Sequence, residues 1–170
     1  MFNKASILHR ILIVAAGGVV NIVFALIVFF ILSLFYRLEV EYSLWDKIVF
    51  AFRNTIGFIL SMVESLKLLF TGQIGLDQMT GPVGISEIVV NTNGLFNFIH
   101  LLCLVSLSLG VTNLLPFPAL DGGRIVLLII EGIRGKALSE EIEMKIQSMG
   151  FILLIMIAFY VTYQDILRLF

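Results

Sequence analysis

The sequence is short of charge, of cysteine and of histidine. Lys, Arg, Asp and Glu make up 14% of its 170 residues, against roughly 25% in an average soluble domain. Eleven basic and 12 acidic residues leave a formal charge of -1. No basic excess exists to hold nucleic acid. The single cysteine, Cys103, cannot form an internal disulfide and lies in an apolar run. It reads as a small buried hydrophobe, and a disulfide-rich secreted module is excluded. What the chain has in excess is apolar residues: 59% are hydrophobic and mean hydropathy is +1.07. A compact domain of this length cannot hide so much apolar surface, and a disordered chain would not carry it. The class that remains is an all-α integral membrane protein.

Three apolar runs, the first of them free of charge, are long enough to cross a bilayer, which takes about 20 apolar residues. They cover 11–36, 95–120 and 146–165 of a single membrane domain, 1–170. Lys4 and Arg10 ahead of the first run also suit a signal peptide, but signal h-regions are shorter, about 7–15 residues. The patch Ile125 to Ile130 is too short to cross. Residues 46–70 differ. Val49, Phe52, Ile56, Ile59, Val63, Leu66 and Phe70 recur at helical steps, with Asp46, Arg53, Asn54, Ser61, Glu64 and Ser65 mostly opposite. The spacing predicts an amphipathic helix lying in the interface; the alternative is a tilted fourth span. Lys4 and Arg10 before the first span, and Arg124, Arg134, Lys136 and Lys145 between the last two, fall on one side if 46–70 does not cross. The positive-inside rule makes that side cytoplasmic.

The chemistry concentrates in Asn113-Leu-Leu-Pro116-Phe-Pro118-Ala-Leu-Asp121-Gly122-Gly123-Arg124. Two prolines within three residues remove backbone donors and push their neighbours towards extended geometry. The second span must therefore break or end here. Broken backbone at membrane depth is tolerated only when buried in protein or lining a wet cavity. A carboxylate beside it, Asp121, is a functional-site candidate. The plainer role for Asp121 is a turn residue or helix cap at the membrane surface.

The pattern Asn113, Pro116, Leu120, Asp121, Gly122 resembles the signature of the site-2 protease family of intramembrane zinc metalloproteases, in its bacterial PDZ-containing branch. Phe2-Asn3-Lys4 through Arg10 to Gly17, followed by Asn21, resembles the family's second membrane helix, with Gly18 where proline is usual. Leu69-Phe70-Thr71-Gly72 and Gly81-Pro82-Val83-Gly84-Ile85 resemble the segment before its third helix. The resemblance implies that Asp121 is a zinc ligand and that Asn113 and Pro116 bind the substrate. The other two ligands and the general base come, in that family, from a His-Glu-x-x-His helix. Such a zinc keeps a fourth position for water, and the family hydrolyses peptide bonds of membrane-embedded substrates. The localisation implied is the bacterial plasma (inner) membrane.

These 170 residues hold no His-Glu-x-x-His; their histidines are His9 and His100. No catalytic residue is therefore assigned. His9 reads as an interfacial residue and His100 as a helix-packing one. His100 precedes Asp121 by about 21 residues, about 30 Å along a helix, which argues against a shared metal. The resemblance thus implies the C-terminal membrane portion of a protease, without its first helix and PDZ region. Such a chain is expected to be inactive and to hold zinc only when the missing N-terminal helix is supplied as a partner. A non-catalytic membrane scaffold of the same fold is the alternative, and a small transporter subunit the weaker one. Glu140, Glu141 and Glu143 after Ser139 read as a helix start.

Overall fold

The computed structural model describes residues 6–35 and 43–169. Phe2 to Lys4, Tyr36 at the end of the first expected span, and Arg37 lie outside these residues. Six α-helices follow in order: α1 (Ile7–Phe35), α2 (Leu44–Phe70), α3 (Pro82–Asn91), α4 (Leu95–Asn113), α5 (Asp121–Arg134) and α6 (Glu140–Arg168). A 3₁₀ turn at Leu76–Gln78 precedes α3. No strand occurs among the described residues. Helices α1, α2, α4 and α6 are long and apolar enough to cross a membrane. By length and composition α2 thus joins the three spans read from the sequence. The expected second span, 95–120, stops being helical at Asn113, ahead of Pro116, as the proline argument requires.

Local chemistry sets the helix starts. Ser43 and Asp46 form a reciprocal capping box on α2: the Asp46 amide donates to Ser43 Oγ, and the Ser43 amide donates to Asp46 Oδ2 at 3.0 Å. Pro82 occupies the first turn of α3, where its missing N–H costs nothing. Helix α6 opens on Glu140, Glu141 and Glu143, as expected for acids facing a helix dipole.

The chain divides into two compact units, and α1, α4 and α6 each contribute residues to both. The first comprises the chain up to Asn21 with Leu109–Ile157. Its tie between α1 and α5 is an ion pair: Arg10 Nη1 donates to Glu131 Oε1 at 2.7 Å, with side chains only 10% and 16% exposed. Gly18 of α1 is buried so close to Gly110 of α4 and to Leu114, just past the end of that helix, that a methyl group there would crowd both. Small residues allow this approach between membrane helices.

The second unit comprises Ile22–Ser108 with Ala158–Phe170. Ala25, Phe29 and Leu32 of α1, Cys103 and Leu107 of α4, and Val161 of α6 are its buried apolar residues, with Ala51 of α2. The Cys103 thiol donates to the Ala25 carbonyl at 3.3 Å, and the His100 ring meets Phe29 edge-on at 5.6 Å. Helix α2 buries a small pair, Ala51 and Thr55, one turn apart. Its apolar stripe, including Val49, Phe52, Ile56 and Val63, remains exposed. Large apolar side chains are uncovered elsewhere too, with Ile133 and Phe159 more than 70% exposed. Surface of this kind is costly in water and suits hydrocarbon, and the chain is a membrane protein.

Candidate metal and substrate site

The first unit holds the proline-broken segment. Helix α4 tightens at its end, with the amides of Leu114 and Leu115 donating three residues back to Val111 and Thr112. The chain then turns twice: the Phe117 amide donates to the Leu115 carbonyl at 2.7 Å, and the Leu120 amide to the Phe117 carbonyl at 3.1 Å. Ala119, inside the second turn, has φ +75°. Leu120 is the N-cap of α5, in extended conformation, and Asp121 is the first residue of that helix.

Three glycines let the turn sit where it does. A Cβ on Gly122 would overlap the carbonyl oxygens of Leu114 and Leu115, and one on Gly123 the carbonyl of Phe117. One on Gly150 of α6 would overlap the Pro118 backbone. The turn is therefore clamped between α5 and α6 by backbone contacts that no other residue type permits. Gln147, one turn before Gly150, accepts the Ala119 amide on Oε1 at 2.7 Å. An open cavity of about 500 Å³ beside the turn is lined by Ala119, Gln147, Ser148, Phe151 and Ile152.

Asp121 is half-buried. A Cβ on Gly17 of α1 would stand 3.6 Å from its Oδ2, so the carboxylate faces a stretch of helix without a side chain. Among the described residues no donor is hydrogen-bonded or ion-paired to it. A half-buried carboxylate without a protein partner calls for an explanation. Asn113 ends α4 and is half-buried; Pro116 is exposed in the turn. The turn thus brings Asn113, Pro116 and Asp121 into one short segment of one unit. His9 is not drawn into it: its Nδ1 lies 2.7 Å from Ser6 Oγ on an exposed turn. His100 belongs to the other unit, against Phe29.

As a metal ligand Asp121 fits in part. It offers an unpartnered carboxylate at a rigid helix start, beside a backbone with room. No group of three or more His, Cys, Asp or Glu able to hold a metal occurs among the described residues. Zinc takes at least three protein ligands in catalytic sites. The described residues therefore do not make a zinc site by themselves.

Helices apolar enough to span a membrane, one of them broken beside an acid, match a known class. The model of peptidase family M50 covers residues 1–157, and the chain belongs to that family. It is 44% identical over 132 residues to the zinc metalloprotease RasP of Shouchella clausii (strain KSM-K16), covering 76% of this chain and 32% of that protein. Over 132 residues it is 37% identical to the regulator of sigma-W protease RasP of Bacillus subtilis (strain 168), covering 76% of this chain and 31% of the relative. The chain spans about a third of the length of these curated relatives.

Proposed function

We propose that this chain is the membrane portion of a zinc metalloprotease that hydrolyses peptide bonds of membrane-embedded substrates. One observation carries the reading: Asp121, a half-buried carboxylate with no partner among the described residues, opens α5 directly after a proline-broken turn. In this reading Asp121 supplies one oxygen ligand to zinc, and the other donors come from outside these 170 residues. Zinc so held supplies Lewis-acid chemistry at the scissile carbonyl. Asn113 and Pro116 hold the substrate backbone, which must be unwound because helical hydrogen bonds shield its carbonyls. The 170 residues alone are inactive.

The experiment is complementation. The chain is co-expressed with a membrane helix carrying His-Glu-x-x-His, and zinc is measured on the purified complex together with cleavage of a membrane-embedded reporter. Asp121→Asn is expected to weaken zinc by more than the roughly 10–100-fold that loss of an outer-shell partner costs. Unchanged zinc content in that variant would sink the ligand assignment. Asn113→Ala is expected to lower cleavage with zinc content intact, and loss of zinc instead would remove its substrate role.

A further inference from the structure

We propose that Gln147 of α6 is a positioning residue for Asp121: its amide oxygen holds Ala119 in the left-handed conformation and so fixes where α5 begins. This rests on the reading of Asp121 as a zinc ligand. Ala119 is the one non-glycine residue with positive φ among the described residues, at +75°. A residue with a Cβ is strained there and stays only where its surroundings hold it. What holds it is visible: the Ala119 amide donates to Gln147 Oε1 at 2.7 Å in a part-buried setting. Gly150, three residues further along α6, receives the Pro118 backbone. Two positions on one face of α6 thus seat the two residues that precede the N-cap Leu120.

The other end of the same side chain supports this. A backbone N–H must meet an oxygen, so the amide orientation of Gln147 is settled and Nε2 points away from Ala119. That Nε2 is buried and has no hydrogen-bond partner among the described residues. A leucine of similar volume would carry no unsatisfied donor. A glutamine is therefore useful here for its oxygen. Asp121 lies two residues beyond Ala119, and a change in φ at residue 119 swings the helix start that carries the carboxylate.

The test uses the full 170-residue chain in lipid nanodiscs and, for zinc, the complemented complex. Gln147→Leu is expected to speed hydrogen exchange at the Ala119 and Leu120 amides at least about tenfold, with α2 amides unchanged. It is expected to weaken zinc about 10–100-fold, as outer-shell losses do. Ala119→Gly in the Gln147→Leu background should restore zinc affinity to within about threefold, because glycine takes positive φ without being held. A merely structural loss at Gln147 would not be rescued by that change. Unaltered exchange in Gln147→Leu, or zinc loss that Ala119→Gly does not relieve, overturns the proposal. If Asp121→Asn leaves zinc unchanged, the ligand reading falls by itself, and the exchange measurement still decides the role of Gln147.

Discussion

The Gly84 amide of α3 donates to Asp165 Oδ2 of α6 at 2.8 Å, across 81 residues of sequence. The Gly81 amide donates to Oδ1 of the same carboxylate at 3.2 Å. Gly81 is the N-cap of α3 and has no side chain to satisfy the first-turn donors, so an acid from another helix does so. Arg168 supports the arrangement, standing 3.7 Å from Asp165 Oδ1 and donating to the Met79 carbonyl at 3.2 Å. Asp165→Ala is expected to cost about 1–3 kcal/mol for each donor left unsatisfied. The check is hydrogen exchange at residues 81–85 with thermal unfolding in detergent. Protection equal to the parent chain would refute the capping role.

The Arg10–Glu131 pair is the second expectation. Both side chains are largely buried, and Arg10 keeps a further interaction when Glu131 is removed. Glu131→Ala is expected to lower stability by about 1.5–3 kcal/mol, the range for a hydrogen bond to a charged group. Exchanging the two residues, Arg10→Glu with Glu131→Arg, should recover part of that loss. A Glu131→Ala chain that unfolds at the parent temperature would show that the pair contributes little.

Two glycines in helices should respond oppositely to alanine. At Gly150 the new methyl meets the Pro118 backbone, which cannot rotate aside. The expected cost is about 1–3 kcal/mol, with the turn displaced. At Gly57 in α2 nothing lies within 4 Å of the new methyl. There alanine should stabilise the helix by about 0.5–1 kcal/mol. Unfolding midpoints of the two variants that move in the same direction would contradict this packing.

Helix α2 is expected to lie along the membrane although its length would let it cross. In the second unit Ala25 of α1 meets Cys103 of α4, and Phe29 meets His100. As α1 advances α4 recedes, so the two run antiparallel. The end of α1 and the start of α4 then share a membrane face, and the chain between them crosses an even number of times. Helix α3, with 10 residues, is about 15 Å long and too short for a core of about 30 Å. That leaves α2 no return path, and its exposed Val49, Phe52, Ile56 and Val63 suit the interface. Cysteines placed singly at Lys47 and Lys67 should react with an impermeant thiol reagent from the same side. Labelling from opposite sides would establish a crossing.

The break in the second span was legible in the sequence because proline acts on its own backbone and its immediate neighbour. Asn113 and Asp121 could be placed on either side of it for the same reason. The acidic start of α6 was legible too, since a helix dipole is a local property. Gln147, Gly150, Glu131 and Asp165 were not. Each acts through a partner 28 or more residues away in sequence, as Gln147 does on Ala119, and single-chain periodicity carries no such pairing. Asp165 and Glu131 did leave a trace, as acids at the end of an apolar run or beside one. The apolar stripe of α2 was read correctly as a stripe. That it stays uncovered while Ala51 and Thr55 pack inward follows from close helix approach, which small residues permit.

The dependence of α3 on Asp165 also orders events in time. At about 5–20 residues per second, a ribosome needs roughly 4–16 s to make the 81 residues between Gly84 and its acceptor. Over that interval α4 and α5 are made, after α1 and α2, while the first turn of α3 lacks its acceptor on Asp165. The second unit is closed only once α6 has emerged. A premature stop or frameshift within α6 therefore reaches back to α3, and quality-control proteases would find their first opening at the Gly81–Gly84 turn.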